Sequence, residues 1–256
     1  MRELGSVLVA YSGGVDSTLL LKLAKDELAG RGVAVLASSP AYPESEQQAA
    51  RELAASLGAR LVEVTTGEVE LEAYARNHPD RCFHCKEELF DTLEPVRRDL
   101  GLAHIAYGAT ADDAGDHRPG HATAVRRGVR FPLLEAGMAK SEIRAAARSL
   151  GLPNWNKASF ACLSSRIPHG TPVTVAALRQ IEAAEAAVRE LGFDQVRVRH
   201  HGDIARIEVD GDDIGRLVLE RERVTAAVRR AGYKFVAVDL EGYSTGHLNR
   251  TWQSGK

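Results

Sequence analysis

The chain reads Val7-Leu8-Val9-Ala10-Tyr11-Ser12-Gly13-Gly14-Val15-Asp16-Ser17 near its start. Residues 7–11 form a short apolar run typical of a buried strand, and residues 16–29 have the leucine spacing of a helix. The glycines between them let an anion approach the backbone closely, while backbone N–H groups and the positive end of the helix face it. This stretch therefore predicts a strand, an anion-binding turn and a helix.

The same alternation continues along the first half of the chain. Further strands are predicted at 33–37, 61–64 and 105–107, with helices at 44–57 and 86–100. Strands alternating with helices predict an α/β fold with a parallel sheet, in which ligands bind beyond the carboxyl ends of the strands. Residues 12–17, 38–42 and 108–116 are thus expected around one crevice, with Ser38 and Gly108 as candidate nucleotide contacts.

The second half has a different pattern. A short helix at 140–150 is followed by a stretch of low periodicity at 153–174, and loops of this length are usually functional or disordered. A helix (175–191), two strands (195–200 and 204–209), a helix (213–231) and a strand (235–240) complete the chain. We predict a parallel-sheet domain at 1–168 and a small α+β C-terminal domain at 169–256.

Composition excludes several classes of protein. Apolar residues make up 44% and charged residues 27% of 256 residues, which is globular rather than disordered. The formal charge of -2 offers no bulk field to attract a nucleic acid. No signal-peptide layout or membrane-length apolar run is visible, so the expected location is cytoplasmic without a membrane partner. Three cysteines, an odd number, fit thiol or metal chemistry better than disulfides.

The glycine turn is neither a Walker A loop nor a dinucleotide-binding fingerprint. It closely resembles the SGGxDS pyrophosphate loop of the N-type ATP pyrophosphatases, the PP-loop superfamily. The resemblance implies cleavage of ATP between its α and β phosphates, adenylation of a carbonyl or carboxyl oxygen, and displacement of AMP by a nucleophile. The implied ATP ligands are Ser12, Gly13, Gly14, Asp16 and Ser17. Asp16 is the first candidate for Mg²⁺, which prefers oxygen ligands, with a helix-capping role as the alternative.

The three cysteines occupy suggestive positions. Cys82 and Cys85 form a CxxC pair before the helix predicted at 86–100, and Cys162 lies in the long loop. Three thiolates could hold three corners of a [4Fe-4S] cluster, or could bind zinc with His84 or another group. The alternative is that they are ordinary small buried residues.

Several segments together resemble one family, the LarE-type ATP-dependent sulfur transferases that help to build the nickel-pincer nucleotide of lactate racemase. These segments span residues 10–17, 81–86, 112–120, 161–166 and 242–243. The resemblance implies that pyridinium-3,5-dicarboxylate mononucleotide is adenylated on a carboxylate and converted into a thiocarboxylate. It also implies a homo-oligomer.

The family has two sulfur sources. Some members consume a single cysteine, which matches Cys162, and leave dehydroalanine. Other members have an additional CxxC, as this chain does. In those members a [4Fe-4S] cluster held by three cysteines is thought to carry a replaceable sulfide. The resemblance therefore implies Cys82, Cys85 and Cys162 as cluster ligands and a sulfide donor as a partner.

Candidate residues for chemistry and substrate follow from the same segments. Cys162, Ser165 and Arg166 form the candidate catalytic group. Arginine forks suit a substrate with one phosphate and two carboxylates. The candidate substrate ligands are Asp113, Asp116, Arg118, Arg197, Arg199 and Arg206. The alternatives are an exposed polar loop for the residues after strand 105–107 and a solvated strand face for the last three arginines. Glu185 could support a metal site, but we expect it on the surface of its helix.

Three other functions compete with this interpretation. A tRNA thiolation enzyme would need an RNA footprint that the charge does not supply. An ammonia-dependent amide synthetase would not need the CxxC. A non-catalytic nucleotide-binding protein with structural zinc would release neither AMP nor pyrophosphate.

Overall fold

The computed structural model describes residues 1–113, 119–158 and 160–244. Its chain divides into two compact units, one formed by Met1–Leu71 with Asp80–Phe160 and the other by Glu72–Pro79 with the chain from Ala161 onward. In chain order the elements are β1 (Val7–Tyr11), α1 (Val15–Glu27), β2 (Gly32–Ser38), α2 (Glu44–Ser56), β3 (Leu61–Thr65), α3 (Glu72–Ala75), α4 (Arg81–Asp99), β4 (His104–Tyr107), α5 (Pro119–Arg126), α6 (Pro132–Glu135), α7 (Lys140–Ser149), α8 (Val175–Arg189), β5 (Val196–His201), β6 (Ile204–Val209), α9 (Ile214–Leu219), α10 (Arg221–Arg230) and β7 (Phe235–Val238).

The first unit contains a four-stranded parallel sheet in the order β3-β2-β1-β4. Every residue of β1 is buried, because the strand is covered on both faces. Val7, Val9 and Tyr11 pack into the core that includes α1 and α7, whereas Leu8 and Ala10 pack into the core that includes α4. The predicted α/β fold with a parallel sheet is confirmed.

The strand order places the functional turn. The chain moves from β1 to β2 on one side and returns to β4 on the other, so the topology switches between β1 and β4. A crevice opens at such a switch point, beyond the carboxyl ends of the strands. The turn after β1 and the loop after β4 border it.

The second unit contains a three-stranded sheet in the order β5-β6-β7. β5 and β6 are antiparallel and β7 is parallel to β6. One face packs Val198, Ile207 and neighbouring apolar residues against a core that includes α8 and α10. Because side chains alternate along a strand, Arg197, Arg199, Arg206 and Glu208 lie on the other face. This small sheet agrees with the predicted α+β appendage; the two compact units divide shortly before residue 168, and the domain boundaries stay a prediction.

Two predicted helices differ from the structure, and three short helices are additional. The helix predicted at 86–100 begins at Arg81, so the CxxC lies inside α4 rather than before it. The helix predicted at 213–231 is two helices, α9 and α10, separated at Glu220. The short helices α3, α5 and α6 were not predicted. Short segments and weak helix formers such as Cys, Phe and His carry little periodic signal, which explains these differences.

Candidate active site

The turn between β1 and α1 has the geometry of an anion-binding loop. Gly13 adopts a φ of 69°, and a Cβ atom there would lie 2.7 Å from the Cβ of Ala50, so only glycine fits without displacement. Gly14 is the N-cap of α1, and its carbonyl accepts a hydrogen bond from Thr18 N at 2.9 Å. The N–H groups of the first turn have no partner within a helix and are oriented toward the crevice end of β1.

The serines of this turn stabilise its backbone. Ser17 Oγ donates to Gly14 O at 3.1 Å and accepts from Ser12 N at 3.2 Å, and the two serine hydroxyls lie 3.2 Å apart. Asn154, which the sequence analysis did not identify, donates from Nδ2 to Gly13 O at 3.1 Å and to Thr18 Oγ1 at 3.0 Å. Nothing in the sequence pattern around this asparagine points to the turn.

Asp16 does not cap α1. No side-chain cap bond occurs at the N-terminus of this helix. Instead the two carboxylate oxygens accept hydrogen bonds from Lys140 Nζ at 2.7 and 2.6 Å. The backbone N–H of Lys140 donates to Asp112 Oδ2 at 2.6 Å. The sequence analysis missed Lys140, since a lysine at the start of a helix is unremarkable by pattern alone.

The other crevice residues lie at the ends of β2 and β4. A Cβ at Gly108 would lie 3.0 Å from Ser17 N and 3.2 Å from Asp16 Cβ, so this glycine allows the loop to pass close to the start of α1. Ser38 is half-buried, and its carbonyl accepts from Thr66 N at 3.0 Å. The neighbouring Ser39 hydroxyl donates to the buried carboxylate of Glu68.

Three predicted substrate residues follow β4. Asp113 ends a 3-10 turn, Ala111–Asp113, but its side chain is not among those described. Asp116 and Arg118 lie outside the described residues. Their roles stay predictions.

None of the three cysteines forms a disulfide with another described residue. Cys82 is exposed and Cys85 is half-exposed, one helical turn apart near the N-terminus of α4. His84, the alternative zinc ligand, has its Nε2 3.3 Å from Asp80 Oδ2. Within residues 1–113, 119–158 and 160–244, no group of three or more His, Cys, Asp or Glu side chains is placed to hold a metal ion. The three-cysteine cluster stays a prediction.

Cys162 lies in a loop organised by a buried ion pair. It precedes a 3-10 turn, Leu163–Arg166, whose Arg166 side chain is fully buried. Arg166 Nη1 donates to Ala161 O at 2.5 Å, to Cys162 O at 2.9 Å and to Ser165 Oγ at 3.1 Å. Its Nε and Nη2 bind Glu185 at 2.9 and 3.1 Å. The guanidinium thus holds the cysteine loop.

Glu185 is buried, so its expected position on the helix surface is wrong. Besides Arg166, it accepts hydrogen bonds from Arg189 Nη2 at 2.9 Å and from Val198 N at 3.1 Å. Burial raises its pKa, but the charges and hydrogen bonds of the arginines outweigh this effect and hold the pKa below its usual range. The carboxylate therefore stays ionised inside the unit because it is fully compensated.

The strand arginines are also less solvated than the alternative interpretation expected. Arg197 and Arg199 are buried on the polar face of the small sheet. Arg199 pairs with Glu208 and donates to Ser165 O at 3.1 Å. Arg206 is 2.5 Å from Asp239 and 3.4 Å from Glu208.

Arg197 differs from its neighbours. Its Nη1 donates to Val196 O at 2.9 Å, and its guanidinium lies 5.2 Å from the centroid of the Tyr243 ring. Within the described part of the chain it forms no ion pair. Burial and then repulsion from Arg166 lower its pKa. The arginine cluster, as we call it, contains five cations and three carboxylates. Its members are Arg166, Arg189, Arg197, Arg199, Arg206, Glu185, Glu208 and Asp239.

No described helix is long and apolar enough to cross a membrane, and no protein-family model matches the chain. The chain is 41% identical to an uncharacterized protein of Synechocystis sp. over 97% of its own length and 93% of that protein. It is 38% identical to the pyridinium-3,5-bisthiocarboxylic acid mononucleotide synthase of Lactiplantibacillus plantarum over 98% of the chain and 91% of the synthase. A more distant relative is the glutamine-hydrolyzing GMP synthase of Aeropyrum pernix, 29% identical over 74% of the chain and 40% of that enzyme.

These similarities agree with the geometry at the carboxyl end of β1. The glycine turn, the parallel sheet and the near full-length match to the synthase describe one kind of ATP-dependent enzyme. The chain therefore belongs to the LarE family of PP-loop ATP pyrophosphatases.

Proposed function

We propose that this enzyme adenylates a carboxylate of pyridinium-3,5-dicarboxylate mononucleotide and converts it into a thiocarboxylate for nickel-pincer cofactor synthesis. A carboxylate oxygen attacks the α-phosphorus of ATP, the bond to the bridging oxygen breaks, and pyrophosphate leaves. A sulfur nucleophile then attacks the acyl carbon and AMP leaves. Adenylation is needed because a carboxylate oxygen alone is a poor leaving group.

The observation that carries this proposal is the near full-length similarity to the synthase, combined with the glycine turn at the switch point. Gly13, Gly14 and Ser17 supply backbone N–H groups and packing for the phosphates, with Ser12, Ser38 and Gly108 bordering the site. Mg²⁺ would neutralise developing charge on pyrophosphate, and the Asp16 carboxylate has the oxygen ligands that this ion prefers.

For the mononucleotide we propose the arginine cluster. Its excess of cations over carboxylates suits a phosphate or carboxylate, and Arg197 has a buried guanidinium that forms no ion pair among the described residues, although Glu185 attracts it. Arg199 forms an ion pair with Glu208, and Arg206 forms one with Asp239. Arg166 acts by holding the loop of Cys162 and Ser165. Asp113, Asp116 and Arg118 remain proposed substrate ligands.

For sulfur delivery we propose Cys82, Cys85 and Cys162. The support is that none of the three forms a disulfide and that two lie one turn apart on α4. A [4Fe-4S] cluster bound by them would supply a replaceable sulfide. The sulfide donor and a homo-oligomeric state belong to the same proposal.

The test is a sulfur-transfer assay on protein purified without oxygen. ATP, Mg²⁺, the dicarboxylate mononucleotide and sulfide are supplied, and AMP, pyrophosphate and the mass of the product are measured. We expect one sulfur to replace one oxygen, with loss of this product in Cys162→Ala. Thiocarboxylate formation at the wild-type rate by Cys162→Ala would refute the role of this cysteine.

Iron and acid-labile sulfide measured on the same preparation test the cluster. About four of each per chain are expected for a [4Fe-4S] cluster. Zinc without sulfide would refute it in favour of a structural metal site, and a metal-free protein that turns over once would identify Cys162 as a consumed donor.

The competing functions give separate results. An RNA-thiolating enzyme would bind tRNA in a salt-sensitive manner. An ammonia-dependent synthetase would retain activity in Cys85→Ser and yield an amide. A non-catalytic protein would release neither AMP nor pyrophosphate.

A further inference from the structure

Lys140 connects three segments that border the crevice. It is the first residue of α7, and its ammonium binds both carboxylate oxygens of Asp16 in the first turn of α1, at 2.7 and 2.6 Å. Its backbone N–H donates to Asp112 in the loop after β4, at 2.6 Å. This loop is also tied to the segment before α7 by the bond from Ala111 N to Met138 O, at 2.9 Å. Lys140 is therefore held from two directions beside the pyrophosphate loop.

The ion pair is poorly explained as a stabilising contact. The side chains of Lys140 and Asp16 are 31% and 23% exposed, and pairs in such surroundings contribute little to folding. The ammonium does, however, neutralise the one carboxylate of the glycine turn. A cation that binds Asp16 competes with the ammonium, because both are positively charged and Nζ already bonds to each oxygen of Asp16.

We propose that Lys140 is a nucleotide-binding residue whose ammonium leaves Asp16 for a phosphate oxygen of ATP when a divalent cation binds Asp16. This inference rests on the proposed function only in taking ATP and a divalent cation as ligands of the glycine turn. A flexible four-carbon stem lets a lysine act as a movable point charge, and a phosphate is a strong acceptor for it. The exchange gives Lys140 and Asp16 each an oppositely charged partner both before and after binding.

The exchange has a thermodynamic consequence. Without nucleotide, Lys140 competes with the cation for Asp16 and weakens cation binding. With nucleotide, Lys140 has another partner and the competition ends. Nucleotide and cation therefore strengthen each other's binding, and this coupling must be reciprocal.

The test uses two binding measurements on the full chain. The first is titration of the nucleotide-free protein with Mn²⁺ alone, followed by electron paramagnetic resonance of the free ion. The second is calorimetric titration with α,β-methylene-ATP in excess Mg²⁺. Both compare wild type with Lys140→Met, which keeps the length of the stem but removes the charge. Lys22→Met is the matched control, since Lys22 pairs with Asp26 on the exposed side of α1.

Lys140→Met is expected to move the two affinities in opposite directions. Mn²⁺ should bind about tenfold more tightly because its competitor is absent, and the nucleotide about tenfold more weakly because one charge-assisted contact is lost. Lys140→Arg, which keeps a cation, should restore most of the nucleotide affinity. Lys22→Met should change neither.

Opposite changes are the distinguishing result. If Lys140 only positioned Asp16, both affinities would fall together, and that outcome would overturn the proposal. Unchanged affinities in Lys140→Met would also overturn it. If Lys140→Met does not fold, Lys140→Arg decides: a loss of nucleotide binding as large as that in Asp16→Asn overturns the proposal, and near wild-type binding supports it. Neither titration involves sulfur transfer, so failure of the proposed reaction would be seen separately.

Discussion

The buried ion pair of Glu185 and Arg166 leads to a stability prediction that can be worked out from its contacts. The perturbation is Glu185→Gln, which keeps the shape of the side chain and removes its charge. The side chains of Arg166 and Glu185 are 0% and 1% exposed, so Arg166 would be left as a buried cation without its compensating carboxylate.

The expected loss is large because the remaining partners are neutral. Breaking a buried ion pair by removing one charge costs about 3–5 kcal/mol. Each carboxylate oxygen of Glu185 accepts two hydrogen bonds, so the glutamine oxygen can keep two of the four, and the low end of that range, about 3 kcal/mol, is expected. With a urea m-value of about 3 kcal/mol/M, this lowers the unfolding midpoint by about 1 M.

The pH dependence has a defined sign. The pKa of Glu185 in the folded protein lies below its usual range, although burial opposes this. Its contribution is therefore fully present above the unfolded carboxyl pKa and is lost as pH falls through the lower folded value. The difference between wild type and Glu185→Gln should be constant near neutral pH and narrow only in acid.

The assay is urea unfolding at neutral pH, followed by circular dichroism and by hydrogen exchange of the peptide that contains Val198. The second probe reports on the small sheet by itself. Glu222→Gln is the control, because this carboxylate is 90% exposed and lies 4.0 Å from Arg221; its effect should stay below about 1 kcal/mol. A shift in Glu185→Gln no larger than in the control would refute the reasoning.

Three further predictions concern the turn, a helix cap and the arginine cluster. Gly13→Ala should lower the free energy of unfolding in urea by about 1–3 kcal/mol and weaken ATP binding. The added Cβ would clash with Ala50, and alanine would have to adopt a positive φ. Thr174→Ala should lower the free energy of unfolding by about 1 kcal/mol in urea titration, since the Thr174 side chain accepts a hydrogen bond from Ala177 N at 3.1 Å. Arg197→Met should leave stability equal or higher, because it removes a buried cation and relieves its repulsion from Arg166. It should weaken mononucleotide binding in calorimetry because a cationic ligand is lost; a destabilisation above about 2 kcal/mol would contradict a binding role.

Much of the first unit was predictable because its signals are local. The apolar run of β1, the glycines after it and the leucine spacing of α1 are neighbours in sequence, and the structure places both elements within two residues of the predicted bounds. The same holds for β6, predicted and observed at 204–209. Periodicity reports such elements directly.

The site depends on contacts that no local pattern reports. Lys140 and Asp16 are 124 residues apart, and Asn154 and Gly13 are 141 apart. The strand arginines alternate with apolar residues, which favours a solvated face, yet Glu208 and the neighbouring polar groups keep Arg199 inside. Burial of a charge is decided by partners in space, and these are not adjacent in the sequence.

The segment Glu72–Pro79 limits how this protein can be dissected. It lies between elements of the first unit but belongs to the second, where Tyr74 Oη is 2.6 Å from Ser164 Oγ and Asn77 Nδ2 donates to the carbonyls of Ile167, Pro168 and Thr171. A fragment that starts at Ala161 would lack the segment Glu72–Pro79 and its hydrogen bonds. A fragment that ends at Phe160 would contain this segment but not the residues it binds. Domain swaps and split reporters based on a single cut would therefore yield two incomplete pieces. Transplanting Glu72–Pro79 together with residues 161–244 would keep these hydrogen bonds of the second unit.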